Sequence, residues 1–307
     1  MQKNVQLAKK TLEKGDLVIF PTETVYGLGG DSTNQRAIKK IYNLKKRPLT
    51  NPIICHFKNV EHVNQNFKIS KIDSLLINLF WPGALTLILQ KKLSSIISPL
   101  VSNNSDLVGC RIPNHPIAIE LLNNVNFPIA APSANIATKI SSTHFSHISD
   151  NLKKNSFILK SGSSSLGLES TVIQTFNNKI EILRLGSITI EELIKKIPDI
   201  KIEIRNKNSA LSPGNQFKHY SPNHPIRLNV KEVRNDECLL NFGKNNLNSK
   251  IFEYNLSVKG NLREASKNFF NYLYLIDKLE CKGIAIAPIP DYDLGRTIND
   301  RLVRASY

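Results

Sequence analysis

Apolar residues at helical spacing, Val5, Ala8 and Leu12, predict an amphipathic helix over 2–14 that Gly15 stops. The unbroken apolar run Leu17-Val18-Ile19-Phe20 predicts a buried strand ending at Pro21, which cannot continue a sheet ladder. Before a helix predicted near 33–42, with Ala37, Ile38 and Ile41 inward, comes a loop of small and hydroxyl residues: Thr22, Glu23, Thr24, Tyr26, Gly27, Gly29 and Gly30. Open α/β sheets bind ligands beyond the C-terminal ends of their strands, so this loop is the first place to look for chemistry. A glycine-rich turn of purely structural purpose fits the same residues.

Further along, the pattern predicts a helix near 71–80 closed by Trp81-Pro82-Gly83 and a strand over 85–89. A short strand at 107–112 follows, its apolar run interrupted by Arg111, and then a helix over 116–124 opening on Pro116. The polar stretch 161–171 reads as a flexible loop entering a strand at 172–176. The Asn177-Asn178 turn then returns the chain through a second strand to Arg184, and a helix lies near 189–196. Such a mixture, with at least one antiparallel pair, predicts an α/β fold of the mixed α+β kind rather than a strict doubly wound sheet.

Residues 201–225, with Pro213, Pro222 and Pro225, read as a linker, yet His219-Tyr220 between two Ser-Pro steps suits a loop ordered over a site. Short apolar segments near 237–242, 251–256 and 283–287, with helices over 262–279 and 295–305, predict a small α/β domain with a parallel sheet. The expected organisation is a large domain of 1–200, an ordered linker of 201–225 and a small domain of 226–307.

Composition sharpens this only in places. A chain of 307 residues suits one large and one smaller domain, and 41% hydrophobic residues are enough for real cores. The formal charge of +16 favours anionic partners; a phosphate-rich small molecule, an RNA and plain compositional drift all fit it. Cys55, Cys110, Cys238 and Cys281 lie far apart without zinc-type spacing, so free thiols in a reducing compartment are expected. His144 and His147 are expected at the surface, and no metal site is expected. No apolar run approaches the ~18 residues that span a bilayer, and the N-terminal stretch reads as a helix rather than a signal. A cytoplasmic protein with no membrane association is the expectation.

The candidate chemistry is cationic. Lys45, Lys46 and Arg47 stand at a helix-to-loop boundary before Pro48, Arg184 ends a hairpin, and Arg111 needs an anionic partner among its apolar neighbours. Guanidinium forks grip phosphate or carboxylate bidentately, and a lysine suits a polyphosphate. No Walker A, dinucleotide-binding or G-x-S-x-G sequence is present.

In order and at similar spacing, PTETVYGLGG, the K-x-R-P of Lys45 to Pro48 with Asn51-Pro52 and His56, WPGALTLIL, VGCRIPNHP, APSAN and GLESTV resemble the threonylcarbamoyl-AMP synthases of the YrdC-like type. SPGNQFKHYSP and the ending LGRTINDRLVRAS resemble the two-domain form of that family. The resemblance implies a YrdC-like twisted mixed sheet around a large cavity, followed by a small Rossmann-like domain. It also implies a nucleotidyltransferase that condenses L-threonine, bicarbonate and ATP into threonylcarbamoyl-AMP and pyrophosphate for tRNA modification. By motif position, Lys45 and Arg47 are the implied catalytic pair, contacting ATP together with Asn51, Leu107, Ser133, Asn135, Ser141, Arg184 and Tyr220. Thr24, His56, Arg111, Ala131 and Ser170 are the implied threonine site. Magnesium is implied on the triphosphate, with no organic cofactor, and a functional link to the tRNA threonylcarbamoyl-transfer complex is implied, with weak RNA binding.

The chain departs from the family pattern at Ala137-Thr138, where Ser-Gly is usual, at Arg184-Leu185-Gly186, at Ser161-Gly162-Ser163 and at Asn215. Two rival functions are an RNA-binding module and a carbamoyl-transfer component. The first would show aromatic stacking motifs and the second paired zinc cysteines, and the sequence has neither.

Overall fold

The computed structural model describes residues 2–205 and 219–307. In chain order its elements are α1 (Gln2–Glu13), β1 (Val18–Phe20), β2 (Gly27–Asp31), α2 (Gln35–Lys45), β3 (Cys55–His56), α3 (Val60–Asn66), β4 (Phe67–Lys68), α4 (Lys71–Phe80), β5 (Leu85–Lys91), β6 (Leu107–Arg111), α5 (Pro116–Asn124) and β7 (Ile129–Ala130). Then follow α6 (Asp150–Lys154), β8 (Phe157–Ile158), β9 (Thr171–Phe176), β10 (Lys179–Arg184), α7 (Ile190–Lys196), β11 (Lys201–Ile204), β12 (Ile226–Arg227), β13 (Glu237–Asn241), β14 (Glu253–Asn255), α8 (Leu262–Ile276), β15 (Gly283–Ile286) and α9 (Asp293–Ala305).

Among the described residues the strands form two sheets. The large one is mixed and runs β11-β10-β9-β5-β6-β3-β7-β2-β1-β8, with β4 added beside β5; the small one is wholly parallel and runs β12-β15-β13-β14. The apolar run at 17–20 is explained by burial on both faces of the large sheet. Leu17 and Ile19 join the core under α2 and α4, while Val18 and Phe20 join the cluster of α1 and α5. A third core belongs to α8, α9 and the parallel sheet, and it takes in Val25, Ile140, Leu168 and Tyr220 from the chain before it. The mixed α/β class and the small parallel domain are as expected. No helix among the described residues is long and apolar enough to cross a membrane.

Four expectations need correction. Gly27, Gly29 and Gly30 are not loop residues but lie in β2, paired antiparallel with β1 and β7. A Cβ on Gly29 would stand 2.7 Å from both Phe20 and Ile129, so the glycine lets neighbouring side chains cross the strand. Lys201–Ile204 is not linker but β11, extending the large sheet in parallel from β10 with Ile202 opposite Ile180. Residues 206–218 of the expected linker, Asn215 included, lie outside the described residues, while His219 and Tyr220 are described and buried. Segment 161–171, expected to be a flexible loop, is clamped: Ser266 Oγ donates to Leu166 O at 3.2 Å, and a Cβ on Gly167 (φ +77°) would strike the α8 backbone. His147, expected at the surface, is buried against α8 with Nε2 3.0 Å from Asn271 Oδ1.

Candidate active site

The turn joining β1 to β2 is held by Thr22, whose hydroxyl donates to Val25 O at 2.6 Å and lies 2.8 Å from Thr24 Oγ1. That turn leans over the paired ends of β3 and β6, where His56 stands in register with Arg111. The Arg111 guanidinium is anchored on three sides. Nε donates to Gly83 O at 2.9 Å, Nη1 to Thr24 Oγ1 at 2.8 Å, and Nη2 lies 2.5 Å from the buried carboxylate of Glu23. Burial, reinforced by Arg111, brings the pKa of His56 down to about 3, so the imidazole is neutral near pH 7. Ala131 and Ser170 complete this side of a cleft.

Cations form the other side. Asn34 caps the start of α2, and Lys46 in the left-handed conformation (φ 53°) ends it, so Lys45 and Arg47 fall on a sharp turn. Arg47 Nε donates to Asn51 O at 3.0 Å, and its Nη2 donates to Asn51 Oδ1 at 2.6 Å and Pro52 O at 2.8 Å. Burial is the main cause bringing the Arg47 pKa down to about 10, still charged near neutrality. Lys45 Nζ donates to Ser133 O at 2.5 Å and also to Asn135 O, so the buried lysine shapes the loop after β7; burial, then Arg47, holds its pKa well below the usual lysine range. Arg184 Nη2 donates to Ser170 O at 2.8 Å and to its Oγ at 3.1 Å, and Ser141 Oγ donates to Glu169 at 2.7 Å. Burial raises the Glu169 pKa, but Arg301, Arg184 and the Ser141 hydroxyl outweigh it and hold the carboxyl below its usual range.

Thr24, His56, Arg111, Ala131 and Ser170 all line this one cleft, as do Arg47, Ser133, Arg184 and Tyr220. Lys45, Asn51 and Ser141 stand one hydrogen bond behind that lining, and Asn135 stands one further back, its carbonyl accepting from Lys45. Leu107 is elsewhere: it lines an adjoining pocket that shares Pro52, Ile53 and Ile54 with the cleft. The residues that sequence reasoning missed are the two carboxylates. Glu169 stands in the quoted GLEST motif and Glu23 in the first loop, but neither pattern discloses a long-range cationic partner. His219 also lines the cleft, with its pKa brought down to about 3 mainly by burial. Among the described residues no group of His, Cys, Asp or Glu is placed to hold a metal ion.

Residues 10–186 match the Sua5/YciO/YrdC family model, described as telomere recombination, and residues 188–306 match the model described as threonylcarbamoyl-AMP synthase, C-terminal domain. The chain belongs to the threonylcarbamoyl-AMP synthase family. It is 31% identical to the threonylcarbamoyl-AMP synthase of Pyrococcus abyssi, covering 98% of this chain and 94% of that one. It is also 31% identical to the Bacillus subtilis protein of the same name, covering 97% and 92%. The crystal structure of P. abyssi Sua5 complexed with L-threonine superposes with a TM-score of 0.88 at 29% identity, covering 100% of this chain and 95% of that one. The threonylcarbamoyl-AMP synthase family is thus matched over both domains.

Proposed function

We propose that this chain makes threonylcarbamoyl-AMP and pyrophosphate from L-threonine, bicarbonate and ATP, as a nucleotidyltransferase supplying tRNA modification. The observation that carries the reading is the meeting, in one cleft, of the Arg111–Thr24–His56–Ser170 group with the Arg47–Ser133–Arg184–Tyr220 group. Family membership and the P. abyssi Sua5 structure, whose own ligand is L-threonine, support it.

In this reading the carboxylate of threonine sits on Arg111, beside the Thr24 hydroxyl. The amine, unprotonated, attacks bicarbonate; a C–N bond forms, water leaves, and a carbamate results. A carbamate oxygen then attacks the α-phosphorus of ATP, forming one P–O bond as the bond to pyrophosphate breaks. No side chain is needed as a covalent nucleophile. The protein supplies positioning and charge: Arg47 and Arg184 face the triphosphate, and Lys45 keeps the Ser133–Asn135 loop in place beneath it. Magnesium enters with the triphosphate as part of the substrate, held mainly by phosphate oxygens. The excess of buried cations over Glu23 and Glu169 suits a ligand of high negative charge.

The test is pyrophosphate release by the full chain with threonine, bicarbonate or ATP left out in turn. Release should need all three, and release that ignores threonine would refute the reading.

A further inference from the structure

The largest wholly buried side chain among the described residues is Arg301, a cation on α9 of the small domain with 0% exposure. A guanidinium removed from water is costly unless its donors and charge are met, and an apolar side chain of similar volume would stabilise a domain seam at least as well. Its partners reveal where it acts. Nε and Nη2 lie 3.3 Å from Glu169 Oε2, Nη2 donates to Leu185 O at 2.6 Å, and Nη1 donates to Asp300 Oδ2 at 2.8 Å. The guanidinium carbon stands 5.4 Å from the centre of the Tyr220 ring. Apart from Asp300, these contacts leave the small domain, and Glu169 and Tyr220 both line the cleft.

We propose that Arg301 is a positioning residue for the cleft: through Glu169, Leu185 and Tyr220 the small domain fixes the wall that receives the nucleotide. Glu169 relays the contact, because its other oxygen accepts from Ser141 at 2.7 Å. Leu185 relays it too, because it follows Arg184, whose guanidinium holds Ser170. Thr297, one turn earlier on α9, donates to Gly186 O at 3.0 Å, and a Cβ on Gly186 would strike the backbone of residues 169–171. The same helix therefore presses the 184–187 segment onto the strand end that carries Ser170. Tyr220 is held at φ 63° between the guanidinium and the ring of Phe270, so its placement also depends on the small domain being docked.

The inference rests on the proposed function, since Arg184 and Tyr220 are there the nucleotide side. The experiment compares full-length wild type, R301M, R301K, E169Q and the double variant E169Q/R301M. It reads KM for ATP and for threonine by pyrophosphate release, and equilibrium binding of ATP alone. Expected are a tenfold or greater rise in the ATP constants of R301M, a markedly smaller rise in the threonine KM passed on through Ser170, and partial rescue in R301K. The double variant should be no worse than the worse single, because both act through one contact. Equal rises for ATP and threonine, or singles whose effects multiply in the double variant, would overturn the proposal. Should R301M fail to fold, E169Q with Arg301 intact must still show the ATP-selective rise, and its absence would be as decisive. Binding of ATP needs no turnover, so a wild type that ignores threonine would refute the proposed function while the contrast in ATP binding still tested Arg301.

Discussion

Glu23 and Arg111 form an ion pair of 2.5 Å with both side chains almost sealed from water, directly under Thr24. Gly83 O, Thr24 Oγ1 and Glu23 hold the guanidinium in one orientation and leave donors over for a ligand. Arg111→Ala should therefore raise the KM for threonine by about tenfold to a hundredfold, the worth of a charge-assisted bond, with little change for ATP. Arg47→Ala should do the reverse. Steady-state kinetics with each substrate varied decides, and equal effects on both substrates by both variants would dissolve the division of the cleft.

The same pair makes a claim on stability. Removing one member of a buried pair leaves an uncompensated charge and costs about 3–5 kcal/mol. Glu23→Ala should fall near the lower end of that range in urea unfolding, because Thr24 and Gly83 still hold Arg111. Glu23→Ala combined with Arg111→Met should recover part of the loss. A double variant that simply adds the two losses would mean that the residues are not coupled.

Acid should unfold the protein through its buried imidazoles before its carboxylates. Burial is the first cause lowering the pKa of His56 and His219 to about 3 and of His147 to about 4, from an ordinary 6.5. The folded chain keeps these rings neutral while the unfolded chain takes up protons near 6.5. The stability they confer is thus complete above 6.5 and lost as pH falls toward 3–4. Each ring should steepen the loss by up to about 1.4 kcal/mol per pH unit. Urea midpoints measured at intervals between about pH 7 and pH 5 test this, since Glu169 and Asp300, whose pKa values are lowered, titrate below that window. His56→Gln should flatten the slope, and an unchanged slope would exclude His56 as a contributor.

Much of this was legible wherever one side chain per position carries the signal. β10 was legible as the strand returning from the Asn177-Asn178 turn, whereas the same Lys-Ile-Glu-Ile alternation in β11 read as linker because three prolines follow it. Arg111 betrayed itself as a cation among apolar neighbours. What escaped is what depends on the absence of a side chain or on distant partners. Only Leu28 gives β2 an apolar side chain, so no period marks it, and its register comes from Phe20 and Ile129 crossing the glycines. Segment 161–171 has the composition of a flexible loop, and its order is supplied by α8, a hundred residues away. Glu169 is an unremarked acid in sequence and becomes a cleft wall only when Arg301 arrives from the last helix.

Thr138 offers the last test. It sits at φ 69°, in the left-handed region that a β-branched residue enters at a cost. The conformation has a use: Thr138 O accepts from Ser221 N at 2.8 Å and so tethers the residue next to Tyr220. Left-handed backbone costs a non-glycine residue about 1–2 kcal/mol, while glycine forfeits about 0.5–1 kcal/mol of unfolded-state entropy. Thr138→Gly should therefore raise stability by up to about 1 kcal/mol, seen as a higher urea midpoint with an unchanged slope. Thr138→Ala should gain less, because its Cβ keeps most of the clash. Thr138→Pro, locked near φ −65°, should lower the midpoint and loosen the tether to Ser221. A midpoint that falls for Thr138→Gly would show that the threonine side chain contributes more than its backbone conformation costs.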